Sequence, residues 1–348
     1  MQRKMIYGSR RAPLPHGRGS ESGEGRVRWV GEGFIVKWKL KAAVQRICAR
    51  MPASETIYYA IQRRFGGLRR PPDPWPNLEG LREILMQLRE IGFALPGKRV
   101  MEVGTGQRLD MPLGLYLCGA ATVETFDLHR YLREELVLAS VAAMTAESQR
   151  AVDLFAALAD PGEVERRLDV LSSARTLGEL CTAASIRYYA PADAARTSLP
   201  ARSIDLQFSY NVFEHIPREI LADILRESNR VLADDGIACH SIDPSDHFAH
   251  DDPSISFINF LRFNEKEWKH YHDNQFAWHN RMRKDDYDRL YAEVSHCMIR
   301  AEGRVNQRGL ELLRNGFPLD QAFLGRDPET LATTEYRVFS RPHILEAD

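Results

Sequence analysis

Apolar residues recur at helical spacing in two short stretches near the start of the chain. Ile35, Leu40, Val44 and Ile47 do so within 34–51, and Ile57, Ala60, Ile61 and Phe65 within 56–65, with basic residues between them. Two amphipathic helices are expected there. Residues 1–33 carry Gly, Arg, Ser and Pro without apolar period and read as a disordered N-terminus. The prolines between Pro71 and Pro76 read as a linker, because proline lacks an amide donor and its ring clashes with the preceding helical turn. Beyond them Leu78, Leu81, Ile84, Leu85, Leu88 and Ile91 predict a helix that stops at Gly92.

From Lys98 onward the pattern alternates. Short apolar runs bounded by turn residues predict strands at 99–103, 122–126, 186–189, 204–209 and 236–242, separated by helical stretches. Parallel neighbours need crossover connections and helices supply them, so the pattern predicts an α/β fold with a mostly parallel sheet covered on both faces. Runs at 296–305 and 336–339 would complete seven strands, the last of them antiparallel. Long inserts are expected at about 130–185 and 246–294. The first has the Ala-rich spacing of packing helices or a homodimer face, and the second would be a cap. The domain reading is thus a disordered segment 1–33, a helical extension 34–94 and an α/β domain 95–348.

Composition sets bounds on this picture. With 348 residues, 44% of them hydrophobic, the chain can bury a sizeable core. It has no apolar run long enough to span a bilayer and no charged-then-apolar leader, so a cytoplasmic location is expected. Five scattered cysteines, Cys48, Cys118, Cys181, Cys239 and Cys297, form no CxxC pair, which speaks against a disulfide framework or thiolate zinc site. The net charge of -1 hides an asymmetry, since residues 1–70 hold 16 Lys and Arg against 4 acids. Helices 34–70 therefore read either as a cap on the core with a solvated basic face or as a foot on an anionic membrane surface or a partner. Nucleic-acid binding is not expected, because no aromatic interleaving accompanies the charges.

Candidate chemistry begins where the first strand ends in Glu102-Val103-Gly104-Thr105-Gly106, a turn whose glycines let backbone approach a ligand closely. About twenty residues on, the second strand ends in Asp127, an acid able to accept both hydroxyls of a ribose. A dinucleotide fingerprint would need glycine where Leu109 stands, which disfavours a nicotinamide dehydrogenase, and no phosphate-cradling Gly-Lys-Ser/Thr closes the turn. Asp193-Ala194 follows the third strand, and the fourth runs through Asn211 to Glu214-His215.

In this ordered set the sequence resembles the class I S-adenosylmethionine-dependent methyltransferases over about residues 98–245. The resemblance implies a Rossmann-like three-layer sandwich with S-adenosyl-L-methionine as cofactor. It implies that Glu102, Gly104, Thr105 and Gly106 line the methionine end. Asp127, with Leu128 beside it, would hold the ribose, Asp193 and Ala194 would meet the adenine, and Asn211 would lie near the sulfonium. The family often has a third glycine where this chain has Arg108, so Arg108 must point away or the loop must pass the cofactor differently.

Histidines are concentrated in the loop after the fifth strand, from His240 through Asp243, Asp246 and His247 to His250. Carboxyl ends of strands in open α/β sheets face the ligand crevice. A hydroxyl acceptor needs a base, so His247 and His250 are the base candidates, with Asp243 or Asp246 as orienting partner and His215 as a further option. The bland alternative is that these histidines only cap a loop. A divalent ion on His and Asp groups is a third reading, but the spacing matches no defined metal motif and no metal is assigned. His279, Asn280 and Arg281 follow aromatic residues and are expected to bind the acceptor. The expected function is O-methylation of a saccharide, a lipid-linked intermediate or another small polar acceptor. The alternative is a non-catalytic cofactor-binding scaffold docking through its basic helices.

Overall fold

The computed structural model describes residues 37–65 and 71–343. Residues 1–33, expected to be disordered, lie outside the described residues. Three helices open the described chain: α1 (Trp38–Ala49), α2 (Ser54–Phe65) and α3 (Trp75–Glu90). The expected linker is shorter than the proline run, because Trp75 and Pro76 belong to the first turn of α3. Proline is tolerated there since the first helical amides have no partner in any case. The Asp73 carboxylate accepts the Trp75 amide and secures the start.

The sheet then builds outward from β1 (Arg99–Val103). After it come α4 (Asp110–Leu117), β2 (Thr122–Phe126), α5 (Glu134–Ala146), α6 (Ser148–Phe155), α7 (Pro161–Ser173) and α8 (Leu177–Ala183). Then follow β3 (Ile186–Tyr189), β4 (Ile204–Tyr210), α9 (Arg218–Val231) and β5 (Leu232–Ile242). The chain closes with α10 (Glu265–His272), α11 (Lys284–Glu293), β6 (His296–Val305), α12 (Gln307–Arg314), α13 (Pro328–Ala332) and β7 (Thr333–Pro342). Seven strands lie in the order β3-β2-β1-β4-β5-β7-β6. All neighbours pair in parallel except β7, which runs antiparallel to both β5 and β6. The mostly parallel α/β sandwich read from the pattern is therefore the fold, including its antiparallel last strand.

Both faces of the sheet are covered, as a parallel sheet requires. One layer is built from α3 to α8, where Leu78, Leu81, Leu113, Val137, Phe155 and Leu168 pack on Val100, Leu206 and Phe208. On the other side Leu221, Leu225, Tyr287 and Leu290 of α9 and α11 pack on Met101, Ala238 and Val338. Of the stretch expected as a cap at 246–294, α11 thus lies in the helical layer beside α9. Arg99 is fixed at the sheet's lower edge by Asp205, which accepts its backbone amide at 2.8 Å and its Nε at 3.0 Å.

A third apolar cluster sits under the cap, where Trp38 and Ala42 of α1 meet Phe248, Phe260, Leu261, Trp268 and Phe323. The Trp38 ring lies 4.7 Å from Tyr271 and 5.7 Å from Phe248, and its backbone amide donates to Asp252. The extension therefore caps the core, while Leu40 and Ile47 on the other face of α1 stay exposed. Among the described residues no helix is long and apolar enough to cross a membrane.

Candidate functional site

The turn after β1 owes its shape to two glycines with left-handed backbones, Gly104 at φ +87° and Gly106 at φ +67°. A Cβ on Gly104 would stand 2.5 Å from a Val212 methyl, so this glycine lets the β1 turn press against the turn after β4. A Cβ on Gly106 would meet nothing within 4 Å, which means that this glycine faces open space. Its amide donates to Oδ2 of Asp127 at 2.8 Å, and the His129 amide donates to Oδ1 at 2.9 Å. Burial raises the Asp127 pKa above the ordinary carboxylate value.

Beneath the turn Glu102 is buried and accepts the Thr125 hydroxyl, which in turn lies 2.6 Å from the Thr105 hydroxyl. Burial pushes the Glu102 carboxyl up to about 8, so it is protonated at neutral pH. Arg108 is turned to the Asp73 carbonyl at 3.1 Å and to Asp110 at 3.0 Å, which resolves how the turn does without a third glycine. Of the remaining expected cofactor residues, Leu128 is exposed and Ala194 is buried. Asp193 uses Oδ1 to hold the Ala195 amide, and Asn211 adopts a left-handed backbone at φ 54° directly after β4.

From Asn211 the chain passes through a short 3-10 turn, Phe213–His215, and this turn meets the loop after β5. Asp243 stands at the centre of that loop, with Oδ2 3.0 Å from His250 Nε2 and 3.5 Å from His247 Nε2. Although burial opposes ionisation, the bond to His250 and the nearby His247 hold the Asp243 carboxyl below its ordinary value. Of the two acids expected to orient a base, Asp243 stands beside the imidazoles, while Asp246 caps the turn His247–His250 through the Phe248 amide and holds Asn259.

His247 lies at the middle of an imidazole group, its ring 4.9 Å from His215, 5.4 Å from His250 and 4.6 Å from His279. Burial pushes His247 down to about 3 and holds His279 well below its ordinary value, so both are neutral. Glu214 is buried next to them with its pKa well raised, first by burial and then by the Asp243 charge. His240 lies inside the sheet, bonded to the Ser209 hydroxyl at 2.8 Å and stacked on Phe213 at 4.0 Å.

A cavity of about 200 Å³ opens beside this cluster, lined by His215, His247 and His279. Its other walls are Phe248, Trp268 and the stacked pair Tyr58–Phe276, with Lys41, Gln45 and Gln62 as polar groups. Sequence reasoning missed the contribution of Gln45, Tyr58 and Gln62, since nothing in the pattern of α1 and α2 says that they line a cavity with Phe276. The three residues expected to bind the acceptor separate here. His279 lines the cavity, while Asn280 donates to the Phe213 and Ile216 carbonyls at 2.9 and 3.0 Å. Arg281 turns to the Phe260 and Phe263 carbonyls and to Glu265.

Residues 156–240 match the sequence profile of the family described as Methyltransferase domain. No curated protein sequence matches the chain. Among solved structures, magnesium protoporphyrin IX methyltransferase from Synechocystis PCC 6803 with bound SAH is 13% identical, over 76% of this chain and 83% of that one, with TM-score 0.39. An S-adenosylmethionine-dependent methyltransferase from Mesorhizobium loti is 15% identical, over 76% and 99%, with TM-score 0.40. A putative sarcosine dimethylglycine methyltransferase from Galdieria sulphuraria is 13% identical, over 76% and 85%, with TM-score 0.41. Residues 156–240 thus match a methyltransferase-domain profile within a seven-stranded, mostly parallel sheet of the Rossmann-like kind.

Proposed function

We propose that the protein transfers a methyl group from S-adenosyl-L-methionine to a hydroxyl oxygen of a small polar acceptor, a saccharide or a lipid-linked intermediate. The observation that supports this reading is the turn after β1, where Gly106 faces open space and bonds Asp127 while Gly104 packs on Val212, three residues before the cavity-lining His215. The residues present fit the cofactor. Gly106 faces open space, and each Asp127 oxygen keeps an acceptor site for a ribose hydroxyl after taking one backbone amide. Bound there, S-adenosyl-L-methionine supplies a methyl group on a sulfonium.

The chain's own residues do the rest. Methyl transfer is an in-line displacement, so holding the acceptor oxygen in line in a site shielded from water does most of the work. The Tyr58, Phe276 and Trp268 faces suit the apolar face of a sugar ring, and Gln45, Gln62 and Lys41 suit its hydroxyls. A hydroxyl held in this cavity would meet His215, His247 and His279 on its wall, with Asp243 and His250 next to His247 as the groups that lower the cost of its deprotonation.

Calorimetric titration with S-adenosylhomocysteine tests the cofactor reading. Asp127→Ala leaves ribose hydroxyls without an acceptor and is expected to weaken binding by roughly 1–3 kcal/mol. Equal affinity in parent and variant overturns it. Transfer of labelled methyl groups to saccharide or lipid-linked acceptors, and not to protein, tests the acceptor class.

A further inference from the structure

The histidine cluster holds an excess of hydrogen-bond acceptors. Both carboxylate oxygens of Glu214, Nε2 of His247 and Nδ1 of His279 are buried with no hydrogen-bond partner. The outer nitrogens explain how the rings are set. His279 Nε2 lies 2.8 Å from the Ser245 carbonyl and His215 Nδ1 lies 3.0 Å from the Trp278 carbonyl, so each of these nitrogens carries the proton. Their other nitrogens, Nδ1 of His279 and Nε2 of His215, are left as bare lone pairs. These two rings are not metal ligands but neutral walls beside His247, 4.9 and 4.6 Å from its ring. A buried acceptor without a donor costs free energy, and a cation on His247 Nε2 removes that cost there.

We infer that Asp243, His247 and His250 bind one divalent transition-metal ion of the zinc or manganese kind. Their donor atoms all lie within 4.8 Å of one another, and Asp243 Oδ2 is 3.0 and 3.5 Å from the two imidazole nitrogens. Ligands held at about 2.0–2.1 Å from an octahedral or tetrahedral ion stand roughly 2.9–3.4 Å apart, so the Asp243–His250 pair is at coordination spacing and the Asp243–His247 pair is slightly wider. Two imidazoles and one carboxylate suit a borderline divalent metal, and three protein ligands leave a position open. Glu214 and His215 stand within 4.8 Å of a ring nitrogen of His247 and complete an acceptor-lined wall around the ion.

This deepens the proposed methyl transfer and rests on it for the chemistry. The ion takes the acceptor hydroxyl at its open position and lowers the hydroxyl pKa. The O–H bond breaks and its proton leaves to solvent. An oxygen lone pair forms the new O–CH3 bond, and the S–CH3 bond breaks to leave a neutral thioether.

The test uses the full chain, stripped of metal with a chelator and titrated by calorimetry with Zn2+ and, in parallel, Mn2+. Visible absorption of the Co2+ form reports the ligand set. One ion per chain is expected. His250→Ala and Asp243→Asn should weaken it by about 100-fold or more, since loss even of an outer partner costs 10–100-fold. His250 is partly exposed, so its variant tests the site without disturbing the core. His270→Ala, whose ring faces Arg46, should leave binding unchanged. No ion bound by the parent at micromolar concentration, or equal binding by both site variants, overturns the inference. S-adenosylhomocysteine titrated into the same samples separates the two ideas. Its failure to bind overturns the cofactor reading alone, and its binding without any metal binding overturns the ion alone.

Discussion

The backbone amide of Gly106 donates to Oδ2 of Asp127 at 2.8 Å, so the turn after β1 and the end of β2 hold each other in place. The bond leaves Gly106 facing open space, and that space is where the cofactor reading puts a ligand.

Gly106→Ala tests whether the space matters. An alanine at φ +67° costs roughly 1–2 kcal/mol in backbone strain but meets no neighbour. The variant should therefore fold, with a modest fall in melting temperature, and lose most of its affinity for S-adenosylhomocysteine. Gly104→Ala should behave otherwise, because its methyl would collide with Val212 and the fold itself should suffer. A Gly106→Ala protein that binds as the parent does would show that the ligand lies elsewhere.

Glu102 gives a pH dependence whose sign is fixed. Its ordinary value is 4.5, and burial pushes it up to about 8 in the folded chain. Between these values the unfolded chain has released the proton and the folded chain keeps it, so stability falls as pH rises. The slope for one proton is about 1.4 kcal/mol per pH unit, an upper bound for this group. Urea midpoints taken at pH 5.5 and 7.5 should fall for the parent and change less for Glu102→Gln, which keeps the shape without the charge. Equal slopes in the two proteins would show that Glu102 ionises as an ordinary surface acid.

Trp38 anchors the helical extension with only 8% of its surface exposed, among Phe248, Phe263 and Tyr271. Trp38→Ala should cost roughly 3–5 kcal/mol locally. Hydrogen exchange should then quicken over 37–65 and 247–272, while the amides of β1 to β5 keep their protection. Uniform loss of protection through the sheet would mean that the extension and the sandwich unfold as one unit.

The strands were legible because each is a short apolar run closed by a turn, and sheet order follows from crossover connections rather than from any single residue. Asp127 was legible only as an acid closing the second strand, and its bond to the Gly106 amide was not. Which acid faces the imidazoles was not legible either, since Asp243 and Asp246 both precede His247 closely in sequence, and only the backbone path sends Asp246 to the Phe248 amide. The cavity wall was hidden for a different reason. Tyr58 and Phe276 stack at 4.2 Å although more than 200 residues separate them, and no local pattern records such a meeting. Arg281 next to aromatic residues resembles a ligand-binding group, yet its guanidinium satisfies carbonyls around the short 3-10 turn Asn259–Arg262, which a sequence cannot reveal.

Asn280 offers the sharpest contrast between a residue that contacts the acceptor and one that holds the chain. Its Nδ2 donates to the carbonyls of Phe213 and Ile216, and its Oδ1 accepts the Tyr287 hydroxyl at 3.2 Å and the Met282 amide at 3.1 Å. The first two bonds tie the segment before α11 to the turn bearing Glu214 and His215, and the other two hold that segment to itself and to α11. At about 1 kcal/mol for each neutral bond, with partners left buried, Asn280→Ala should lose roughly 2–4 kcal/mol of stability. Urea unfolding measures that loss directly. S-adenosylhomocysteine affinity should change little, because none of the four partners belongs to the Gly106–Asp127 cradle. If stability is instead unchanged while methyl transfer loses affinity for its acceptor, Asn280 turns outward in solution and binds that acceptor itself.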